Sequence, residues 1–270
     1  MTEQYVHGYD PRERERLEDQ ASTLVDLLHG DTAYPAGSRV LEAGCGVGAQ
    51  TVTLAANSPD ALITSIDISA TSLAEAERRV KDAGLGNVRF EQADIFNLPY
   101  EADAFDHIFV CFVMEHLADP VEALKRLKKH MKPGGTITVI EGDHGSAYFH
   151  PHSAAAQRAI QCQVDLQRRA GGNALIGRAL YPLLNKAGYQ SIQVSPRMVY
   201  VDSSRPELVD GFTKKTFTAM IEGVRDTVKE EGLLDLALFD QGIRDLYRTA
   251  ETDGVFCYTF FKAVARCSNP

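Results

Sequence analysis

The sequence lacks any apolar stretch close to the roughly 20 residues that a helix needs to cross a bilayer. It begins without a basic segment followed by an apolar run, so we expect no secretory signal peptide. Its five cysteines are scattered and contain no C-x-x-C pair, which favours reduced thiols over a disulfide framework. Together these absences predict a cytoplasmic protein with no membrane-spanning segment.

Positive charge is also scarce, because 28 Lys and Arg stand against 37 Asp and Glu, for a net charge of −9. A protein with this balance does not attract polyanions through its overall field, so nucleic acid and anionic membrane are disfavoured as partners. The densest basic stretch, residues 125–132, is predicted to be the solvated face and C-terminal end of a helix.

In the first half of the chain, apolar strands alternate with helical patterns. The predicted strands are residues 38–42, 61–66, 87–92, 105–111 and 136–141, and the predicted helices are 11–29, one from residue 49, 71–83 and 119–130. Strands separated by helices of about 10–15 residues indicate βαβ units. The sequence therefore predicts an α/β fold with a doubly wound, mostly parallel sheet.

The second half departs from this rhythm. Helices are predicted over residues 153–169, 174–186 and the whole of 206–251, and strands over 192–199 and 255–265. A helical insertion before the last strand of such a sheet is well placed to form a lid over the carboxyl ends of the strands. Apolar side chains of this insertion, Phe212, Phe217, Met220, Leu238, Phe239 and Tyr247, suit a core, a subunit interface or a pocket wall.

The strongest local signal is the turn Gly44-Cys45-Gly46-Val47-Gly48, which joins a predicted strand to a predicted helix. Glycines permit a sharp turn and close approach of a ligand, and the following helix offers free N–H groups. The pattern Gly44-x-Gly46-x-x-Ala49 also fits a dinucleotide-binding turn, with Asp67 about 20 residues further on. The turn by itself leaves an NAD-dependent oxidoreductase open.

Three further features bear on whether this turn binds a dinucleotide or another ligand. Glu42 lies just before the turn, where a carboxylate would repel a pyrophosphate but suits a ligand with an ammonium and a sulfonium group. The third strand ends in Ala93-Asp94-Ile95, whose carboxylate and backbone N–H can bind an adenine edge. Pro133-Gly134-Gly135 then leads from a helix into the fifth strand.

In this order, the segments resemble the motifs of class I S-adenosylmethionine-dependent methyltransferases. The segments are residues 40–48, 67–69, 93–95, 106–110 and 127–135, and the resemblance is close over residues 38–141. It implies a seven-stranded sheet with an antiparallel last strand, the cofactor S-adenosylmethionine and the product S-adenosylhomocysteine. It also implies a methyltransferase that acts on an O, N or C atom of a small-molecule acceptor.

The resemblance assigns roles to matching positions. Glu42 and the glycine turn would hold the methionine moiety, Asp67 the ribose hydroxyls, and Asp94 and Ile95 the adenine edge, with Ile68 packed on the adenine. Phe112 and Val113 would line the cofactor beside the reacting methyl group. The full set of predicted cofactor-binding residues is Tyr9, Glu42, Gly44, Cys45, Gly46, Gly48, Gln50, Asp67, Ile68, Asp94, Ile95, Phe112 and Val113. Tyr5 is the second candidate for the aromatic residue that covers the methionine end.

A general base is needed if the acceptor is a hydroxyl or an acidic carbon. His144, after the fifth strand, is the leading candidate, with Asp143 or Glu141 as partners, and His116 is the alternative. A metal bound by Asp143, His144, His150 and His152 is disfavoured, because their spacing matches no helix-borne ligand pair.

The same resemblance predicts how the chain is divided. Residues 1–30 would form a helix covering the cofactor site, 31–145 the cofactor-binding core, 146–252 the lid with the sixth strand, and 253–270 the last strand. Assembly into a homo-oligomer would involve the lid. A role in specialised metabolism is one hypothesis, and a non-catalytic protein that binds S-adenosylmethionine is the remaining alternative.

Overall fold

The structure is a computed structural model that describes residues 24–267. In chain order the helices are α1 (Val25–His29), α2 (Ala49–Asn57), α3 (Ala70–Asp82), α4 (Pro120–Lys129), α5 (Ala154–Arg169), α6 (Leu180–Lys186), α7 (Pro206–Leu208), α8 (Ala219–Gly223), α9 (Arg225–Glu230) and α10 (Leu236–Arg248). The strands are β1 (Arg39–Ala43), β2 (Leu62–Asp67), β3 (Val88–Gln92), β4 (Phe105–Cys111), β5 (Met131–Gly142), β6 (Tyr148–His150), β7 (Gln190–Asp202) and β8 (Val255–Arg266). Short 3₁₀ turns lie at Met114–His116, His144–Ser146 and Ile176–Ala179, and a π-helix at Val209–Thr218. Tyr5, Tyr9 and most of the predicted helix 11–29 lie outside the described residues.

The strands form one sheet in the order β3-β2-β1-β4-β5-β8-β6, and β7 also pairs with β8. The pairs β1–β2, β2–β3, β1–β4 and β4–β5 are parallel, and β6 runs antiparallel to β8. The predicted fold class is confirmed. The three-residue β6 is an additional strand, too short to show an alternating pattern in the sequence.

The strand order reverses at β1. Its neighbours are β2 and β4, so the chain proceeds to one side of β1 and then returns to the other. In open α/β sheets, ligands bind outside the carboxyl ends of the strands at such a reversal point. The glycine turn follows β1 directly and therefore lies at this point. Four of the five β1 residues are buried, as expected for a strand covered on both faces.

The described chain forms two compact units. The first unit contains Val25–Glu141, Ile176–Arg197 and the described residues from Phe261 onward, and the second contains Leu24, Gly142–Leu175 and Met198–Phe260. In the first unit, Asp119 caps α4 by accepting a hydrogen bond from the Glu122 N–H at 2.9 Å, with Pro120 in the first turn. This is the start that Asp119-Pro120-Val121-Glu122 predicts.

The second unit corrects one sequence expectation. Residues 206–251 were predicted to be helical throughout, but the helices α9 and α10 are separated by residues 231–235. Gly232 adopts a φ of +60° after α9, and the Asp235 side chain starts α10 by accepting from the Leu238 N–H at 3.1 Å. Helical periodicity continues across this break, because a glycine stop and an aspartate cap interrupt the backbone without changing the apolar pattern.

The aromatic residues of the second unit form its core. Phe212 and Phe217 pack against Phe256 and Tyr258 of β8, with ring centroids 4.7–6.0 Å apart. Phe239 is also fully buried, whereas Leu238 and Tyr247 are exposed. Most of the apolar side chains predicted for the lid therefore belong to a packed core.

Between residues 24 and 267, no helix combines the length and apolar composition needed to cross a membrane.

A buried histidine in α1 makes the stability of the first unit sensitive to acid. His29 is 1% exposed, and burial lowers its pKa to about 4, against a partly opposing interaction with Gln50. The unfolded chain therefore binds a proton between pH 6.5 and 4 that the folded chain does not. The stabilisation is complete above pH 6.5 and decreases as the pH falls, by up to about 3 kcal/mol at pH 4.

We expect His29→Gln to make the free energy of unfolding less dependent on pH between about 6.5 and 4. Urea unfolding of both proteins at several pH values measures this difference. His152→Gln, which replaces an exposed histidine, serves as the control and should leave the wild-type slope unchanged. An equal slope for wild type and His29→Gln would contradict the prediction.

Candidate functional site

The glycine turn after β1 has three glycines in the left-handed region, with φ of +79° at Gly44, +53° at Gly46 and +79° at Gly48. A Cβ atom at Gly44 would lie 2.5 Å from Cγ2 of Val113, and one at Gly48 would lie 2.8 Å from the Cα atom of Ala76. Gly44 and Gly48 are thus required by packing. A Cβ atom at Gly46 would meet no described atom within 4 Å, so this glycine faces open space.

Asp67, the last residue of β2, is bound to this turn. Its Oδ2 accepts a hydrogen bond from the Gly46 N–H at 2.9 Å, and its Oδ1 accepts one from the Ser69 N–H at 2.9 Å. A carboxylate has about four acceptor positions, so these two bonds orient the group and leave capacity for a further donor on each oxygen. The half-buried carboxylate is suited to bind a pair of neighbouring hydroxyl groups.

Glu42 lies one residue before the end of β1 and is 2% exposed. The register of the sheet places it beside Ser65 of β2, whose Oγ donates a hydrogen bond to Oε2 of Glu42 at 2.6 Å. Burial raises the pKa of Glu42 to about 7, although the bond from Ser65 opposes the shift. A buried carboxyl group with this pKa favours binding of a cation, which stabilises its charged form.

The residues predicted for the adenine differ in exposure. Ile68 is 51% exposed, so it presents an apolar surface directly after Asp67. Asp94 is exposed, and its Oδ1 accepts a hydrogen bond from the Phe96 N–H at 2.8 Å. Ile95 is buried. The contacts of these three residues with a cofactor remain a prediction.

Two of the predicted cofactor residues have side chains that turn into the protein. Cys45 is buried, and burial raises the pKa of its thiol. The side-chain oxygen Oε1 of Gln50 is buried, and the Gln50 side chain raises the pKa of His29, against the larger effect of burial. A cofactor contact at Cys45 would therefore involve the backbone.

The turn after β4 contains Phe112 and Val113. Phe112 has a φ of +57°, which is unusual for a residue with a side chain, and its N–H donates to the Ile140 carbonyl at 2.9 Å. The Val113 N–H donates to Oε1 of Glu141 at 3.0 Å. The structure thus brings Val113 to the glycine turn through Gly44.

The two candidate bases lie in different units. His144 belongs to the second unit, is 7% exposed, and its Nδ1 lies 2.7 Å from the Tyr258 hydroxyl oxygen. Asp143 caps the short turn that contains His144 by accepting from the Gly145 N–H at 3.1 Å. His116 belongs to the first unit, with Nε2 at 3.7 Å from Oε1 of Glu115. A catalytic role for either histidine remains a prediction.

Sequence reasoning missed several partners of these residues. Ser65 could have been found, because it stands two residues before Asp67 as Glu42 stands two before Gly44, and parallel pairing places the two side by side. Tyr258 is 114 residues from His144, and no local pattern links them. Glu141, one of the two predicted partners of His144, accepts through Oε1 from the backbone N–H groups of Val113 and Met114. Across residues 24–267, His, Cys, Asp and Glu form no group of three that could hold a metal ion.

The sequence model of a protein family described as a methyltransferase domain matches residues 35–188 of this chain. The trans-aconitate 2-methyltransferase of Deinococcus radiodurans is 32% identical over 68% of this chain and 67% of its own length. The 27-O-demethylrifamycin SV methyltransferase of Amycolatopsis mediterranei is 31% identical over 49% of each chain. The crystal structure of the [4+2]-cyclase SpnF has a similar fold, with a TM-score of 0.56 and 20% identity over 93% of this chain and 81% of that chain.

The matches extend over part of the relatives only. They span 60%, 51% and 49% of the first three curated relatives. The match with the methyltransferase domain covers the glycine turn and every described residue predicted to bind the cofactor. The cofactor of this family is S-adenosylmethionine. The chain belongs to the family of class I S-adenosylmethionine-dependent methyltransferases.

Proposed function

We propose that this protein transfers a methyl group from S-adenosylmethionine to an O, N or C atom of a small-molecule acceptor. One observation carries the proposal: Asp67 is bonded to the glycine turn through the Gly46 N–H, at the point where the strand order reverses. Two relatives act on different small molecules by name, trans-aconitate and 27-O-demethylrifamycin SV. A function in specialised metabolism is part of this proposal.

The residues around the turn fit the proposed cofactor. Gly46 leaves open space where a bound molecule can approach the backbone, and Asp67 retains acceptor positions for ribose hydroxyls. Glu42 would receive the ammonium group of the methionine moiety. Ile68 would pack on the adenine, whose edge Asp94 and Ile95 would bind.

When bound, S-adenosylmethionine supplies a methyl group on a positively charged sulfur, which is already an activated leaving group. The protein therefore has to align the acceptor and exclude water. Phe112 and Val113 would form the wall beside the methyl group. His144, or alternatively His116, would accept the proton of a hydroxyl or acidic carbon.

Binding and transfer are tested in two experiments. Calorimetry with S-adenosylmethionine, S-adenosylhomocysteine and NAD is expected to show binding of the first two and none of NAD. Incubation with methyl-labelled S-adenosylmethionine and a small-molecule cell extract should then give a labelled product. Tight binding of NAD alone would contradict the proposal, and cofactor binding without any labelled product would favour the non-catalytic alternative.

The raised pKa of Glu42 predicts a pH-dependent affinity for the cofactor. If the charged carboxylate binds the ammonium group, affinity for S-adenosylhomocysteine should rise with pH and level off above about pH 7. Below this value the loss approaches about tenfold per pH unit, because a proton must be released on binding. We expect Glu42→Gln to abolish this dependence of the affinity on pH, as measured by calorimetry from roughly pH 5.5 to 8.5. If the affinity of Glu42→Gln still rises with pH in this range, a group other than Glu42 is responsible.

A further inference from the structure

The turn that follows β4 is held in an unusual conformation by a residue outside it. Phe112 has a φ of +57°, and Val113 then starts the 3₁₀ turn Met114–His116. Val113 supplies no side-chain hydrogen bond to cap this turn, so its first N–H groups need an acceptor from elsewhere.

Glu141, near the end of β5, provides that acceptor. Its Oε1 accepts from the Val113 N–H at 3.0 Å and from the Met114 N–H at 2.7 Å. The side chain is fully buried, so water does not compete for these two bonds. One carboxyl oxygen therefore caps the turn after β4 from the neighbouring strand β5.

The capped turn lies against the glycine turn. A Cβ atom at Gly44 would be 2.5 Å from Cγ2 of Val113, so the Val113 side chain occupies the space that a side chain at Gly44 would need. The position of Val113 thus depends on two constraints, the bond of its N–H to Glu141 and its contact with Gly44. Release of the first constraint lets the valine move away from the glycine turn.

We propose that Glu141 is a positioning residue of the cofactor site: its carboxyl group holds Val113 against Gly44 and so shapes the wall around the methionine moiety. This inference rests on the proposed function, which places the methionine moiety at the glycine turn. It differs from the sequence expectation, in which Glu141 assists His144 at the acceptor. In the proposed function, the adenosine end of the cofactor lies by Asp67, whose carboxylate accepts from Gly46 and Ser69.

The chemistry of Glu141 provides a conservative variant. Burial and the neighbouring Glu115 carboxylate raise the pKa of Glu141 well above its usual value, and its Oε2 has no hydrogen-bond partner among residues 24–267. Oε1 alone accepts the bonds from the Val113 and Met114 N–H groups. Glutamine has the same shape and keeps an accepting oxygen, whereas leucine is apolar, shorter by one bond and has no acceptor.

The test compares two probes, S-adenosylhomocysteine and 5′-methylthioadenosine, which has the adenosine and the sulfur but no amino-acid group. Dissociation constants are measured by calorimetry for wild type, Glu141→Gln, Glu141→Leu and the control Glu77→Leu, in which the glutamate is exposed on α3. We expect Glu141→Leu to lose about tenfold or more in affinity for S-adenosylhomocysteine and to change little for 5′-methylthioadenosine. Glu141→Gln and Glu77→Leu should resemble wild type with both probes.

The outcomes separate this inference from the proposed function. Absence of S-adenosylhomocysteine binding in wild type would overturn the function itself. If wild type binds and Glu141→Leu loses both probes equally, or neither, Glu141 has no specific effect on the methionine end and the inference is overturned. If Glu141→Leu does not fold, Glu141→Asp replaces it, because its side chain is shorter by one methylene group and moves the acceptor away from the turn. This variant should also lose affinity for S-adenosylhomocysteine and change little for 5′-methylthioadenosine, and otherwise the inference is overturned.

Discussion

Replacement of Asp67 by alanine is expected to weaken binding of S-adenosylhomocysteine by roughly 100-fold or more. In the proposed function the carboxylate accepts hydrogen bonds from two ribose hydroxyl groups. Hydrogen bonds to a charged group contribute about 1.5–3 kcal/mol each. The substitution also removes the acceptors of the Gly46 and Ser69 N–H groups. Because the site is half-buried, water can replace these, so we expect a loss of only about 1–2 kcal/mol in folding stability.

Calorimetry measures the affinity, and thermal unfolding shows that the variant is folded at the temperature of the measurement. Asp60→Ala is the matched control, since Asp60 is an exposed aspartate of the same unit with no assigned role in the site. It should bind like wild type. Unchanged affinity in Asp67→Ala would show that the ribose lies elsewhere and would remove the main support for the proposed function.

The second prediction with a large effect concerns Gly48 and Gly46 of the same turn. We expect replacement of Gly48 to lower mainly the folding stability, and replacement of Gly46 to lower mainly the affinity for the cofactor. Gly48→Ala places a Cβ atom 2.8 Å from the backbone of Ala76, at a φ of +79°. Strain and overpacking together should lower the free energy of unfolding by about 3 kcal/mol or more. Gly46→Ala meets no atom within 4 Å, so only the backbone conformation is strained, at about 1–2 kcal/mol.

In Gly46→Ala the added methyl group points into the space proposed for the cofactor, so affinity for S-adenosylhomocysteine should fall by about tenfold or more. Gly84→Ala is the control for strain alone, because Gly84 has a φ of +70°, open surroundings and a position after α3. Urea unfolding and calorimetry on the three variants separate stability from binding. A Gly46→Ala protein that binds like Gly84→Ala would contradict the assigned position of the cofactor.

The arrangement of the residues proposed to bind the cofactor could be predicted because its signals are local. Glu42, the glycines and Asp67 each follow or end a short apolar strand, and parallel strands bring their carboxyl ends to one edge. The sequence order therefore determines the spatial order. The carboxylate of Asp67 and the N–H of Gly46, 21 residues apart, are bonded to each other in the structure, as that order implies.

The remaining features depend on contacts between distant parts of the chain. Oε1 of Glu141 bonds a residue 28 positions earlier, and His144 lies beside Tyr258, 114 residues later. No periodicity or capping pattern encodes such pairs, because they are determined by how strands pack rather than by local backbone preference. The acceptor is unpredictable from sequence for the same reason, since the side chains around His144 come from separate segments.

The position of β8 has a consequence for synthesis of the protein. This strand comes after all the other described strands in the chain, yet it lies between β5 and β6 and also pairs with β7. While the ribosome is still making residues before 255, β5 has an open edge of unpaired N–H and C=O groups, and β6 and β7 have no partner strand. Such an edge is a template for pairing with other chains, so we expect an aggregation-prone stage during synthesis until β8 emerges.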